Sequence, residues 1–475
     1  MTKFLSKLAS NVVLYLSLLF TIGMVLINLA GMISFQRLFA FNSIYEIIII
    51  ILVLLIITAI SILLFKVKDN KKFVLYLFIT ASIVRLLWII CVDTNPTSDF
   101  KIMYDAALEL VNGNYESVFN NGYLNVWVYQ LGFTGYLALI LKLFDNSLFM
   151  VKLVNVMIVS LISIIIYFSA KKLVNEKIAR IPAILYALYV GSIANTSVLT
   201  NQHLATLLFY VAILLILSDV NRKFKWILVG ASIALGEIIR PEGSIVILAL
   251  LLFLIFKDIT NIKKVGKSLL EFIGILVIIF TITKIVSFGF INVGITQYEL
   301  SNRDPLWKFV CGFNHDTKGT YSEEDSNYLG QFGGIGKERE RAEINLIKER
   351  LSQPKKLTLT LAYKYTVMWA LNDTSLQLAF TDNVDKPELY DITLKLEKIQ
   401  YIIIAIMFMF GIINIIKRKE GFSKNHIYLI IFLGYLLAHL LIEVQPRYRY
   451  FALPIFFIIS SYSLVGIKIK ERLIK

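Results

Sequence analysis

Charge is scarce in this 475-residue chain: Asp, Glu, Lys and Arg make up 17% of it, where a soluble domain carries about 25%. With 57% hydrophobic residues alongside, that shortage excludes cytosolic enzymes, secreted domains and disordered regulators. Two cysteines, Cys91 and Cys311, are too few for a disulfide framework or a zinc pattern and read as free thiols. Short segments of strict polar–apolar alternation are missing, which excludes a transmembrane β-barrel. Also missing are a Gly-x-x-x-x-Gly-Lys-Ser/Thr loop for nucleotide phosphates, a Gly-x-Ser-x-Gly elbow and a His-Glu-x-x-His pair.

What is present is a series of long apolar runs, near 11–33, 44–65, 73–92, 147–169, 178–194, 200–217, 226–239, 243–256, 268–290, 399–416, 427–443 and 448–467. Runs of this kind predict an all-α polytopic membrane protein with about 12 transmembrane helices. The net charge of +15 points to loops at a membrane, not to nucleic acid, because the excess sits in short segments between runs. Clusters such as Lys66–Lys72, Lys171–Arg180, Arg222–Lys225, Lys257–Lys267, Lys417–Lys424 and Lys468–Lys475 all fall on one side in a single assignment. By the positive-inside rule that side is cytoplasmic, and both termini share it. Lys3 and Lys7 precede an apolar run too long for a signal-peptide core, so this run reads as a retained first span.

Two segments need separate treatment. Arg240-Pro241-Glu242-Gly243 interrupts the 226–256 stretch with a helix breaker and two charges, which predicts two short helices meeting at an outer corner. The 127–144 stretch is apolar, but a crossing there would put the Lys171–Arg180 cluster outside; it is expected to lie along the outer leaflet. The resulting organisation is a two-span N-terminal part (1–72), a core (73–290) with a first outer loop (93–146), a long outer segment (291–398), and a three-span C-terminal part (399–475). The outer segment contains a glycine-rich stretch, Gly330–Gly336, and a charged helical run, Lys337 to Arg350. An outer segment this long suits acceptor recognition or a lid.

The conspicuous polar motifs fall on the outer side, which favours an enzyme working there over a transporter with a polar route through the midplane. Asp99 follows the turn at Pro96 and is the first choice for a base that takes a proton from a hydroxyl, the competing reading being a helix cap by Ser98 or Asp99. Arg85 lies inside the third run, as a functional residue or as a side chain snorkelling to headgroups. Arg240, Arg447 and Arg449 meet the outer surface, and arginine's planar fork suits a phosphate, although headgroup anchoring would also use it. Asn201, Gln202 and His203 form one polar corner, and His439 shares a helical face with Glu443 just before Gln445. No ligand spacing for zinc is apparent, and no cofactor is called for; a divalent cation stays an open alternative.

The order of these motifs resembles the GT-C integral-membrane glycosyltransferases, in particular the bacterial family-39-like relatives of protein mannosyltransferases and aminoarabinose transferases. The motifs are Arg85 in a span, Ser98-Asp99 followed by Tyr104 and Ala107, Thr200–His203, Arg240-Pro241-Glu242-Gly243, and Gln445-Pro446-Arg447-Tyr448. The resemblance runs from about residue 73 onward, so the first two spans look like an addition. It implies a GT-C-like fold and transfer, with inversion, from a polyprenyl-phosphate sugar to a cell-envelope acceptor, with membrane lipids around the protein. Asp99 would be the base, with Arg240, Arg447, Arg449 and Arg85 on the donor phosphate. Tyr104, Asn201, Gln202, His203, Glu242, His439, Glu443 and Gln445 are the candidates for sugar or acceptor. Many relatives carry an acidic pair in the first loop; here Ser98 precedes the single Asp and Phe100 follows it. The alternatives are a lipid-linked saccharide flippase and an O-antigen-type polymerase or ligase.

Overall fold

The computed structural model describes residues 2–34, 44–219, 221–381 and 386–466. Among these the secondary structure is helical, with one isolated bridge between Trp127 and Asn302. Each expected apolar run is met by helix. Six helices are long and apolar enough to cross a bilayer: Thr2–Ser34, Ile44–Phe65, Asn70–Cys91, Leu148–Lys171, Ile262–Asn292 and Pro387–Arg418. Shorter apolar helices, Gln202–Leu217, Gly243–Asp258 and His426–Leu441, reach only about 24 Å and sit inside the bundle, where neighbouring helices replace lipid. Ile44–Phe65 and Ile262–Asn292 leave most of their apolar side chains exposed, as a lipid-facing surface must. The described residues have the all-α make-up of a multi-pass membrane protein.

Sequence explains most breaks. Arg222–Ile239 and Gly243–Asp258 meet at the Arg240–Glu242 corner, as the proline there requires. The expected 178–194 run is split into Glu176–Ala187, which contains Pro182, and Val190–Asn195. The last run opens as a 3-10 helix, Pro446–Phe451, before Leu453–Ser460. Its terminal lysines, Lys468 to Lys475, lie outside the described residues.

The basic loops share one end of the bundle. The Arg180 guanidinium bonds the carbonyls of Val67 and Lys68 and the Asn70 side chain, and Lys172 pairs with Asp219 at 3.1 Å. Lys225, Lys257, Lys264 and Lys267 line one cavity with Asp219. Asn70–Cys91 carries the chain about 33 Å from that end to the loop before Asp99.

The 127–144 stretch forms the helix Gln130–Leu143, about 21 Å long and too short to cross. It packs on Ser98–Val111 and on Arg222–Ile239. Gly132 permits the second contact: a Cβ there would stand 1.9 Å from the Ile238 carbonyl oxygen. The long segment before Pro387–Arg418 folds into five helices, Trp307–Phe313, Glu323–Gly330, Lys337–Leu351, Pro354–Ala370 and Thr374–Ala379. The charged run is thus helical where expected. The boundary drawn at 398 falls inside one continuous helix, Pro387–Arg418. The N-terminal part is packed into the same body: Asn28 donates to the Trp369 carbonyl and accepts from Lys398, and Ser10 bonds His426.

Candidate active site

Asp99 sits in the first turn of Ser98–Val111, half-buried. Thr97 is the N-cap residue and makes no side-chain cap bond, so Asp99 is not consumed in capping. Among the described residues its carboxylate has no hydrogen-bond or ion-pair partner. Ser98 immediately before it has φ 52°, a left-handed conformation that costs a non-glycine residue about 1–2 kcal/mol. The loop that leads in is pinned by Thr94, whose hydroxyl donates to the Ala379 carbonyl at 2.7 Å.

Near this residue, side chains from separate parts of the chain form a hydrogen-bonded band. The ring of Phe100, next to Asp99, lies 5.0 Å from the Arg447 guanidinium carbon. Arg447 donates through Nε to Gln445 (2.7 Å), Gln445 donates to Glu443 (2.8 Å), and Lys308 donates to Glu443 (2.5 Å). Tyr448 stands between two guanidinium groups, 5.5 Å from that of Arg240 and 5.7 Å from that of Arg447. Arg240 donates to Glu242 at 2.6 Å and to Asn201 at 2.9 Å; Asn201 donates to Gln130, and Gln130 to the Tyr123 hydroxyl. Gln202 donates to the Arg447 carbonyl at 3.2 Å. Tyr435 closes the band, donating to Glu242 and to the Tyr448 carbonyl.

Several donors and acceptors in this band are left over. Arg240 Nη2 and both Nη groups of Arg447 have no partner among the described residues, and neither does the buried Glu242 Oε2. Burial works against charge on Glu443, yet Lys308 and the bonds from Lys308 and Gln445 hold its carboxyl below the usual range. Burial likewise opposes the Lys308 ammonium, and Tyr448 and Glu443 overcome it, pushing its pKa up. Burial, with a smaller contribution from Asp99, raises the Tyr123 and Tyr129 phenols, keeping both as neutral donors. The arrangement offers guanidinium N–H groups without partners, suited to a phosphate, and in the same region the unengaged Asp99 carboxylate, suited to a hydroxyl.

The structure redistributes the other expected residues. Arg85 is fully buried and donates to the carbonyls of Ala187 and Tyr186 and to Ser192, capping the broken helix at 187–190; it does not reach Arg240 or Arg447. Arg449 points away from Arg447, because a 3-10 helix with three residues per turn sends Arg447, Tyr448 and Arg449 to sides about 120° apart. His203 is spent on the Tyr450 hydroxyl and the Asn195 carbonyl. Tyr104 packs at the edge of the hydrophobic core. His439 bonds the Tyr435 carbonyl and stacks 5.5 Å from Tyr448, at the margin of the band.

Sequence reasoning missed Lys308, Gln130, Tyr123, Tyr129 and Tyr435. Tyr448 stood in the Gln445–Tyr448 motif without a role of its own. Lys308 arrives because Trp307–Phe313 approaches the end of His426–Leu441 so closely that a Cβ on Gly312 would lie 2.3 Å from the Leu441 carbonyl oxygen. The Glu443 amide then bonds the Lys308 carbonyl at 2.8 Å. Nothing local in the sequence announces that contact. Among the described residues no three His, Cys, Asp or Glu side chains converge as metal ligands.

No curated protein and no solved structure matches the chain. Residues 133–286, the stretch that carries Asn201, Arg240 and Glu242, match the family model described as dolichyl-phosphate-mannose-protein mannosyltransferase, about a third of the chain.

Proposed function

We propose that this protein transfers a hexose, mannose by the family's description, from a polyprenyl-phosphate donor to a hydroxyl of a cell-envelope acceptor on the extracytoplasmic face. The observation that carries the proposal is the band that joins Arg240, Arg447 and Lys308 at the end of the bundle opposite the basic loops, with Phe100, the neighbour of Asp99, against the Arg447 guanidinium. The donor phosphate takes the free N–H groups of Arg240 and Arg447, with Lys308 adding positive charge. The sugar lies toward Asn201, Gln202 and Glu242, whose unpaired oxygen accepts a hydroxyl. Asp99 removes the acceptor proton as that oxygen attacks the anomeric carbon. The bond from the anomeric carbon to the phosphate oxygen breaks, and configuration inverts. Negative charge grows on the departing phosphate, and fixed guanidinium groups stabilise it most where water is excluded.

The orientation follows the positive-inside rule: the basic end is cytoplasmic and the site faces outward. Incubating purified protein with a short-chain polyprenyl-phosphate mannose and a mixture of envelope glycan acceptors tests the reading. Release of polyprenyl phosphate that depends on acceptor is expected. No release with any polyprenyl-phosphate hexose, together with release from a pyrophosphate-linked oligosaccharide, would overturn it.

A further inference from the structure

Arg449, turned away from the band, is among the most completely buried charged residues of the protein, at 0% exposure. Its guanidinium donates to the Leu371 carbonyl at 2.7 Å and to Glu397 at 3.2 Å, and lies 4.3 Å from the centre of the Tyr401 ring. Glu397 is equally buried and accepts from the Tyr189 hydroxyl at 2.5 Å. Asp373 stands 3.7 Å from the same guanidinium. These partners come from the long helix Pro387–Arg418, from the loop after Pro354–Ala370, and from the break between Ala187 and Val190. The Arg449 side chain therefore ties the 3-10 helix Pro446–Phe451 to three elements that supply no side chain to the band described above.

Burying two charges this deeply is costly, and apolar side chains of similar volume often do as well or better for stability alone. What apolar packing does not supply is a fixed direction. Pro446–Phe451 has the loose geometry of 3-10 structure, and it carries Arg447 on one side and Arg449 on another. A fork held by a carbonyl and a carboxylate fixes the rotation of that segment about its axis, and hence the direction in which Arg447 and Tyr448 project.

We propose that Arg449, held by Glu397 and Tyr189, is a positioning residue that sets the rotation of Pro446–Phe451 so that Arg447 and Tyr448 meet the donor phosphate. The inference rests on the reading that Arg447 binds that phosphate. The test compares wild type with Arg447→Ala, Arg240→Ala, Arg449→Met and the triple variant Tyr189→Phe/Glu397→Leu/Arg449→Met. The triple variant removes Arg449, Glu397 and the Tyr189 hydroxyl together, so of this cluster only the Asp373 carboxylate remains, still held by the Ser375 amide, and less buried charge is stranded than in Arg449→Met alone.

Two quantities are read: binding of a short-chain polyprenyl phosphate, and hydrogen exchange at the Tyr448 and Ala452 amides. The triple variant is expected to keep a thermal midpoint close to wild type. Its affinity for polyprenyl phosphate should fall about tenfold or more, the scale of a misplaced binding group. Its two amides should exchange faster than in wild type. Wild-type affinity in the triple variant, with binding lost in Arg447→Ala, would overturn the anchor and leave the functional reading intact. Wild-type affinity in Arg447→Ala and Arg240→Ala would instead overturn the phosphate site, and the anchor with it. Unchanged amide exchange alongside weakened binding would also refute the anchor, because the segment would not have moved.

Discussion

Replacing Asp99 with Asn separates chemistry from structure at this site. The Asp99 carboxylate has no hydrogen-bond or ion-pair partner among the described residues, and it does not cap its helix. Asn is nearly isosteric, so the substitution strands no neighbour and should change stability by no more than about 0.5 kcal/mol, as surface substitutions do. Donor binding through Arg240 and Arg447 should also persist, since neither guanidinium contacts Asp99 directly. The base, by contrast, is lost outright. A positioned general base is worth roughly 10²–10⁴ in rate, which corresponds to about 2.7–5.4 kcal/mol of barrier. Single-turnover transfer from a short-chain polyprenyl-phosphate sugar would measure the first quantity, and thermal unfolding with polyprenyl-phosphate binding the other two. The reasoning fails if Asp99→Asn transfers sugar within threefold of wild type, or if its rate falls only in step with its folded fraction.

Arg240→Ala should behave differently, because Glu242, with its side chain 10% exposed, and Asn201 both lose a donor: a destabilisation of about 3 kcal/mol is expected together with weaker donor binding. In the double variant Arg240→Ala/Glu242→Ala the stability should largely return while donor binding does not, which a thermal melt and a titration would show. Gly132→Ala drives a methyl into the Ile238 carbonyl and should cost about 1–3 kcal/mol, whereas Gly122→Ala, which meets open space, should change the melting point little. In the long segment before Pro387–Arg418, burial and the neighbouring Asp304 carboxylate push Glu343 up to about 8. A carboxyl whose folded pKa exceeds its unfolded value favours folding fully below about 4.5, and that contribution is lost as pH rises through about 8. Wild type should therefore melt at a lower temperature at pH 9 than at pH 6, with a smaller difference in Glu343→Gln; equal slopes in the two proteins would refute the assignment.

The fold class and the presence of helix in each apolar run were legible in the sequence because the bilayer imposes them locally, whereas several helix ends were not. An apolar run of about 20 residues has to be helical in lipid, and Pro241 breaks a helix wherever it stands. The alternation of basic loops likewise fixed one consistent end for Lys66–Lys72, Lys171–Arg180 and Lys257–Lys267, and Arg180 and Lys172 do bridge neighbouring loops at that end. The band near Asp99 was half legible. Arg240, Glu242, Asn201, Gln445 and Arg447 stand in short polar motifs that interrupt apolar sequence, and such interruptions are visible without a structure.

Residue type could not tell which way a side chain points. Arg447 and Arg449 are chemically equivalent and two positions apart, yet the rotation of a 3-10 turn sends one to the site and the other into a buried pair with Glu397. Arg85 and His203 carry the same ambiguity, and both are consumed in closing breaks between helices. Lys308 shows the converse: a plain lysine becomes part of the site only because Gly312 lets its short helix settle against Leu441. Composition and spacing determined which segments enter the membrane and which end gathers the polar groups. Only packing between segments far apart in the chain decided which charges face a shared space, because that depends on interhelical contacts and axial rotation that no local pattern encodes.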